Sequence, residues 1–291
     1  MKTPVVFCIF RRLDTAEKVF QAIRQAKPSQ LLVIADGPRA DRPGEAEECA
    51  AARAIIEKVD WDCEVIKNYS DVNLGCHERM ISGLNWAFSH VEQAIILEDD
   101  CLPDPSFFPY CEELLELYRD EDQVMHINGF NSRPRPKMLE SYYISKVVSC
   151  WGWATWRRAW QHYDVKMQQW PSYKQRVENA GELEYFGECG ENIYAAFEFA
   201  ATGEISYWDV RWGFSCAARK GLAVVPKTNL IKNLGFRADA THTQQKDSPI
   251  DLIPIEGLDL PLIRPDSLIP NQECDRAFVE FFYKDNDVFA D

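Results

Sequence analysis

Three acids in a row, Glu98, Asp99 and Asp100, follow directly on four apolar residues, Ala94 to Leu97. Pro103 and Pro105 then interrupt regular structure before an aromatic-rich helix is expected from Phe107. A short, fully apolar run bounded by breakers reads as a buried parallel strand. Acids at its carboxyl end fall in the crevice where open α/β sheets bind ligands. Three adjacent carboxylates repel one another, and a divalent cation with oxygen ligands is the natural way to hold them there. The competing reading is a solvated loop at a strand end. The strand itself is too apolar to lie anywhere but inside.

The rest of the chain must position those acids. At 291 residues it can bury a full core. With 46% hydrophobic and 12% aromatic residues it is an ordinary globular sequence, not a disordered one. A formal charge of −14 with no basic run argues against a nucleic-acid or anionic-membrane partner. An anionic substrate therefore needs local cations. No apolar stretch reaches the length of a membrane span, and Met1 to Phe10 does not resemble a secretory leader. Ten scattered cysteines without a CxxC pair fit reduced thiols in a cytoplasmic protein.

Taken in order, Pro4–Phe10, Leu31–Ala35, Cys63–Ile66, Ala94–Leu97 and Val124–Ile127 read as strands. Helices are expected between them, the first opened by a capping-box-like Asp14-x-x-Glu17. This alternation calls for an α/β fold: a mostly parallel, Rossmann-like sheet with helices on both faces. Residues 1–135 form the regular half. Residues 136–291 are less regular, with an extended Ser141–Ser149, helices over 182–202, 210–220 and 274–283, and loop from Asn233 to about Asn271. The two halves are expected to form one continuous domain.

Arg11-Arg12 after the first strand, Asp36 after the second, Glu98-Asp99-Asp100, and Trp208-Asp209 after an aromatic segment together carry a resemblance. Their order resembles nucleotide-sugar glycosyltransferases of the GT-A fold, closest to the N-acetylglucosaminyltransferase I group and bacterial family 2-like enzymes. The resemblance implies an irregular acceptor-side half. It implies that Asp100 binds Mn2+ or Mg2+ bridging a diphosphate, that Asp99 meets ribose or donor sugar, and that Glu98 meets the donor sugar. Asp36 would face the nucleobase, uracil, although Asp-Gly-Pro is also a good turn by itself. The implied partners are a UDP-sugar donor and a saccharide, lipid-linked or protein acceptor.

Several residues fit that chemistry on their own terms. Arg11 and Arg12 match phosphate geometry, or form a solvated pair at a strand end. Arg79 precedes the acid strand and can face a nucleotide, or make a helix-surface salt bridge. Asp209 is the candidate general base, since one-step inverting displacement needs a carboxylate to take the acceptor's proton. It also stands where a helix N-cap belongs. The resembled group tends to show two aspartates after the tryptophan, whereas Val210 follows here, which leaves Glu204 and Asp164 as substitutes. Trp151, Gly152 and Trp153 look like a sugar platform, or core packing. His242, in a polar loop, is a candidate second metal ligand or phosphate contact. Two other readings remain open: a sugar-nucleotide nucleotidyltransferase, and a catalytically silent carbohydrate-binding scaffold. The first strand lacks the Gly-rich phosphate loop that nucleotidyl transfer usually requires.

Overall fold

Every side chain of β1 (Val5–Ile9) is buried, and successive ones enter different cores. Val5, Phe7 and Ile9 pack with Leu31, Val33 and Ala35 of β2 (Gln30–Ala35) and with Ile95 and Leu97 of β4 (Gln93–Glu98). That layer is closed by α1 (Leu13–Ala26) and α4 (Phe107–Leu117). Val6, Cys8, Leu32, Ile34, Ala94 and Ile96 face the other way, onto α3 (Cys76–His90) and α8 (Trp208–Ala218). A strand whose two faces are both apolar belongs in the middle of a sheet covered on both sides. The computed structural model describes residues 1–135, 137–180, 182–235 and 252–285.

The main sheet has eight strands in the order β3-β2-β1-β4-β8-β6-β9-β7. The others are β3 (Glu64–Tyr69), β6 (Val124–Asn128), β7 (Tyr142–Ser145), β8 (Trp153–Trp156) and β9 (Leu222–Pro226). Only β8 and β7 run against the rest, so the sheet is mostly parallel, as expected. Strand β8 lies between β4 and β6, so the second half of the chain contributes to the centre of the sheet. β5 (Cys101–Pro103) leaves the sheet and pairs antiparallel with β10 (Ile231–Asn233).

Two expectations about helix starts are corrected. α1 begins at Leu13 with Arg12 in the capping position and no side-chain cap, leaving Asp14 within its first turn. α8 is capped by the extended Tyr207, so Asp209 is the second residue of the helix and not its N-cap. There it still meets the positive end of the helix dipole. The remaining helices are α2 (Glu45–Ala54), α5 (Arg157–Trp160), α6 (Trp170–Ala180), α7 (Gly190–Thr202) and α9 (Gln272–Glu280). Among the described residues no helix is long and apolar enough to cross a membrane.

Candidate active site

β1 pairs with β2 on one side and β4 on the other, so a crevice opens beyond their carboxyl ends, where the strand order reverses. A cavity of about 1190 Å³ occupies it. Its wall takes Arg11 and Arg12 from the end of β1, Asp36 from β2, and Glu98, Asp99 and Asp100 from β4. Asp209 on α8 lines the same cavity.

The register explains how the acids are held. Cys8 pairs with Glu98, which sets Asp99 and Asp100 beside the residues that follow β1. The Phe10 backbone N–H donates to Asp99 Oδ2 at 3.0 Å, and Arg12 Nη1 donates to Asp100 Oδ2 at 3.0 Å. On the other side β10 returns along β5, and the Leu234 N–H donates to the Asp100 carbonyl at 2.7 Å. A side chain on Gly235 would collide with the Asp100 carboxylate, so only glycine fits this approach.

Burial and mutual repulsion weigh on all three carboxyls. Burial, then the charges of Asp100, Asp209 and Asp99, push Glu98 well above the usual carboxylate range. Burial and Asp100 push Asp99 up to about 7. Asp100 is raised by burial and pulled back by Arg12. Such a site is short of positive charge, and a hard divalent cation fits its all-oxygen donor set. Among the described residues no group of three or more His, Cys, Asp or Glu converges to enclose a metal alone. A cation here would complete its shell with water and a bound phosphate, which is how magnesium-like ions usually sit.

Other expected site residues fall in different places. Arg11 lines the cavity but turns to α2, 3.0 Å from Glu48 and 3.6 Å from Glu45. Asp36 is buried at the wall and receives four hydrogen bonds, from the N–H groups of Gly37, Leu74 and Gly75 and from Asn73 Nδ2. Its carboxylate thus anchors the 73–75 loop as well as facing the crevice. Arg79 is buried in the same wall and donates to the Asn68 carbonyl and side chain, while its Nε has no partner. Burial holds its guanidinium below its ordinary range.

The tryptophan segment is only partly at the site. Trp151 lines the cavity, edge-on to Phe130 with ring centres 4.7 Å apart. Trp153 offers no face to a ligand: it is fully enclosed, stacked on His126 at 4.9 Å and packed against Trp160, Trp208 and Trp212. As a residue of a central strand it must point into one core or the other. Gly152 is likewise not at the wall; it takes φ +58° and passes so close to Ile231 that a Cβ would collide. Of the substitute bases, neither Glu204 nor Asp164 lines the cavity. Asp164 Oδ2 caps the Gln169 N–H at 2.8 Å. His242 lies outside the described residues.

The sequence reading did not pair Arg12 with Asp100, nor place Cys76, His77 and Lys146 in the wall. The signal for Arg12 was present in part: of the two basic residues after β1, Arg12 meets the acids ending the neighbouring parallel strand while Arg11 turns to α2. Cys76 opens α3 and is exposed at the cavity.

No family model matches the chain, and no curated protein matches it. Solved structures share parts of its shape. One is a UDP-glucose pyrophosphorylase complexed with UDP-glucose, at 10% identity and TM-score 0.38, covering 80% of this chain and 92% of the other. A second is the 4-diphosphocytidyl-2C-methyl-D-erythritol synthase of Anaerococcus prevotii, at 12% identity and TM-score 0.40, covering 79% and 90%. A third is the galactosyltransferase LgtC in complex with donor and acceptor sugar analogs, at 12% identity and TM-score 0.33, covering 62% and 66%.

Proposed function

We propose that the chain is a metal-dependent glycosyltransferase that moves a sugar from a UDP-sugar to an acceptor hydroxyl with inversion. The observation that carries this reading is the placement of four carboxylates from two separate elements in one cavity. Glu98, Asp99 and Asp100 end a strand at the crevice, and Asp209 comes from a helix that lines the same cavity, near enough for its charge to be felt at Glu98. A nucleotide diphosphate and an acceptor need both a place for cationic charge and a proton acceptor beside it.

In this reading Asp100 holds Mn2+ or Mg2+, with His242 as a further ligand; Glu98 and Asp99 contact the donor sugar and ribose. Bound there, the cation supplies charge stabilisation to the leaving diphosphate. Arg12, already beside Asp100, offers a guanidinium to the phosphate oxygens. Asp36 and Arg79 border the nucleobase end, and Trp151 gives the sugar an aromatic edge. The Asp209 carboxylate takes the acceptor hydroxyl's proton as the new bond to the anomeric carbon forms and the bond to the diphosphate oxygen breaks. Attack from the side opposite the leaving group inverts the centre.

The test is turnover by Asp209→Asn, followed as UDP release from UDP-sugars with manganese. Transfer should fall about 10²–10⁴-fold, the usual worth of a general base, with donor affinity kept. An active Asp209→Asn enzyme rejects this base. Pyrophosphate release from a nucleoside triphosphate plus sugar phosphate, with no UDP release, would establish nucleotidyl transfer instead.

A further inference from the structure

The cavity is larger than the roughly 300–1,000 Å³ that encloses one drug-sized ligand. Part of its wall belongs to a third apolar cluster, separate from the two cores of the sheet. Tyr173, Leu183, Ile193, Phe197, Val210 and Ala217 all belong to that cluster and all line the cavity. They come from α6, from the turn before α7, and from α7 and α8. Val210, Gly213 and Ala217 share one face of α8, at helical spacing. That face of α8 turns toward Phe197 of α7. A Cβ built on Gly213 would meet nothing nearer than Phe197 Cε1, at 3.8 Å.

This apolar arm begins at the candidate base. Asp209 and Gly213 are four residues apart on α8, hence neighbours on its surface, with Cβ positions about 5–6 Å apart. From Asp209 to Ala217 the helix rises about 12 Å. Apart from the Tyr173 hydroxyl, the six side chains named bring no polar group to the arm, so a sugar's hydroxyls would be poorly satisfied there. Hydrocarbon would not.

Resting on the transferase reading, we infer that the acceptor is amphipathic: its reactive hydroxyl sits at Asp209 and an adjoining alkyl or aryl group fills the arm. The acidic end of the cavity takes the donor, and the two substrates meet where α8 begins.

The experiment is calorimetric titration of methyl, butyl and octyl β-glucoside, each below its micellar concentration, into the parent protein and Gly213→Leu. Leucine is a better helix residue than glycine, and its side chain, whose Cβ touches Phe197, takes up room in the arm between α7 and α8. The parent should bind about three- to fourfold more tightly for each added methylene until the arm is full. In Gly213→Leu the octyl compound should bind no better than the methyl one. Affinity independent of chain length in the parent, or the same gain in both proteins, overturns the inference. UDP with manganese is titrated alongside. A parent that shows the chain-length gain but binds no UDP overturns the transferase reading, and the acceptor role with it. A parent that binds UDP without the gain overturns the arm alone.

Discussion

At the scale of single residues, the site is defined by how its charges are met. Asp100 has Arg12, Asp99 has a backbone N–H, and Asp36 has four donors. His126 shows the same economy in the core, where its Nδ1 accepts from Trp212 Nε1 at 3.0 Å. Indole N–H can only donate, so the proton is on Nε2, which faces the Ser149 carbonyl at 3.0 Å. Burial pushes this imidazole down to about 4, below its usual 6.5. A depressed histidine contributes stability that is complete above about 6.5 and lost as pH falls through about 4. The raised acids work the other way; Asp99's contribution is complete below its ordinary range and lost as pH rises through about 7. The two are separated by difference. Unfolding free energies of the parent and of His126→Gln, measured by denaturant from pH 7 to 4, should converge on acidification by on the order of 2–3 kcal/mol. Parallel curves would mean that His126 titrates alike in the folded and unfolded chain, which contradicts an imidazole held neutral by burial. The acid triplet was legible in the sequence because a strand of four apolar residues can end in acids only at a sheet's rim. Trp153 was not, since a run of tryptophans carries no period that tells a ligand platform from a core.

At the scale of elements, strands β1, β2 and β4 were readable because each is short, apolar and bounded by turn residues, whereas β3 carries Glu64, Lys67 and Asn68 and was legible only in its first half. β5 and β10 were not, because three residues each are too few to signal, and only their long-range pairing makes them strands. Yet this small ribbon brings Leu234 and Gly235 onto Asp100. Gly152 is what allows Ile231, the first residue of β10, to pack where it does. Replacing Gly152 with alanine adds both left-handed strain and a collision, at a cost of about 2–4 kcal/mol. Gly203→Ala is the control, with φ +84° and nothing within 4 Å of its Cβ, so it bears strain alone. Denaturation midpoints should rank the parent highest, then Gly203→Ala, then Gly152→Ala. Equal losses in the two variants would show that contact with Ile231 matters little.

At the scale of the whole molecule, the regular first half supplies the crevice and the second half closes it. Its strand β8 enters the centre of the sheet and its helix α8 carries Asp209. The order of sheet strands and helices through Asn128, the short β5 apart, could be read from the sequence. The insertion of β8 between β4 and β6 could not, because strand order is set by packing across distant parts of the chain. The net charge of −14 makes the acid tip an unfavourable place for an anion unless a cation intervenes. Titration of UDP into the parent and into Asp100→Ala, with and without manganese, measures that dependence directly. Binding should appear in the parent only with manganese and be lost in Asp100→Ala. UDP binding of equal strength in the two proteins, or undiminished without manganese, would contradict a cation-held diphosphate at the end of β4.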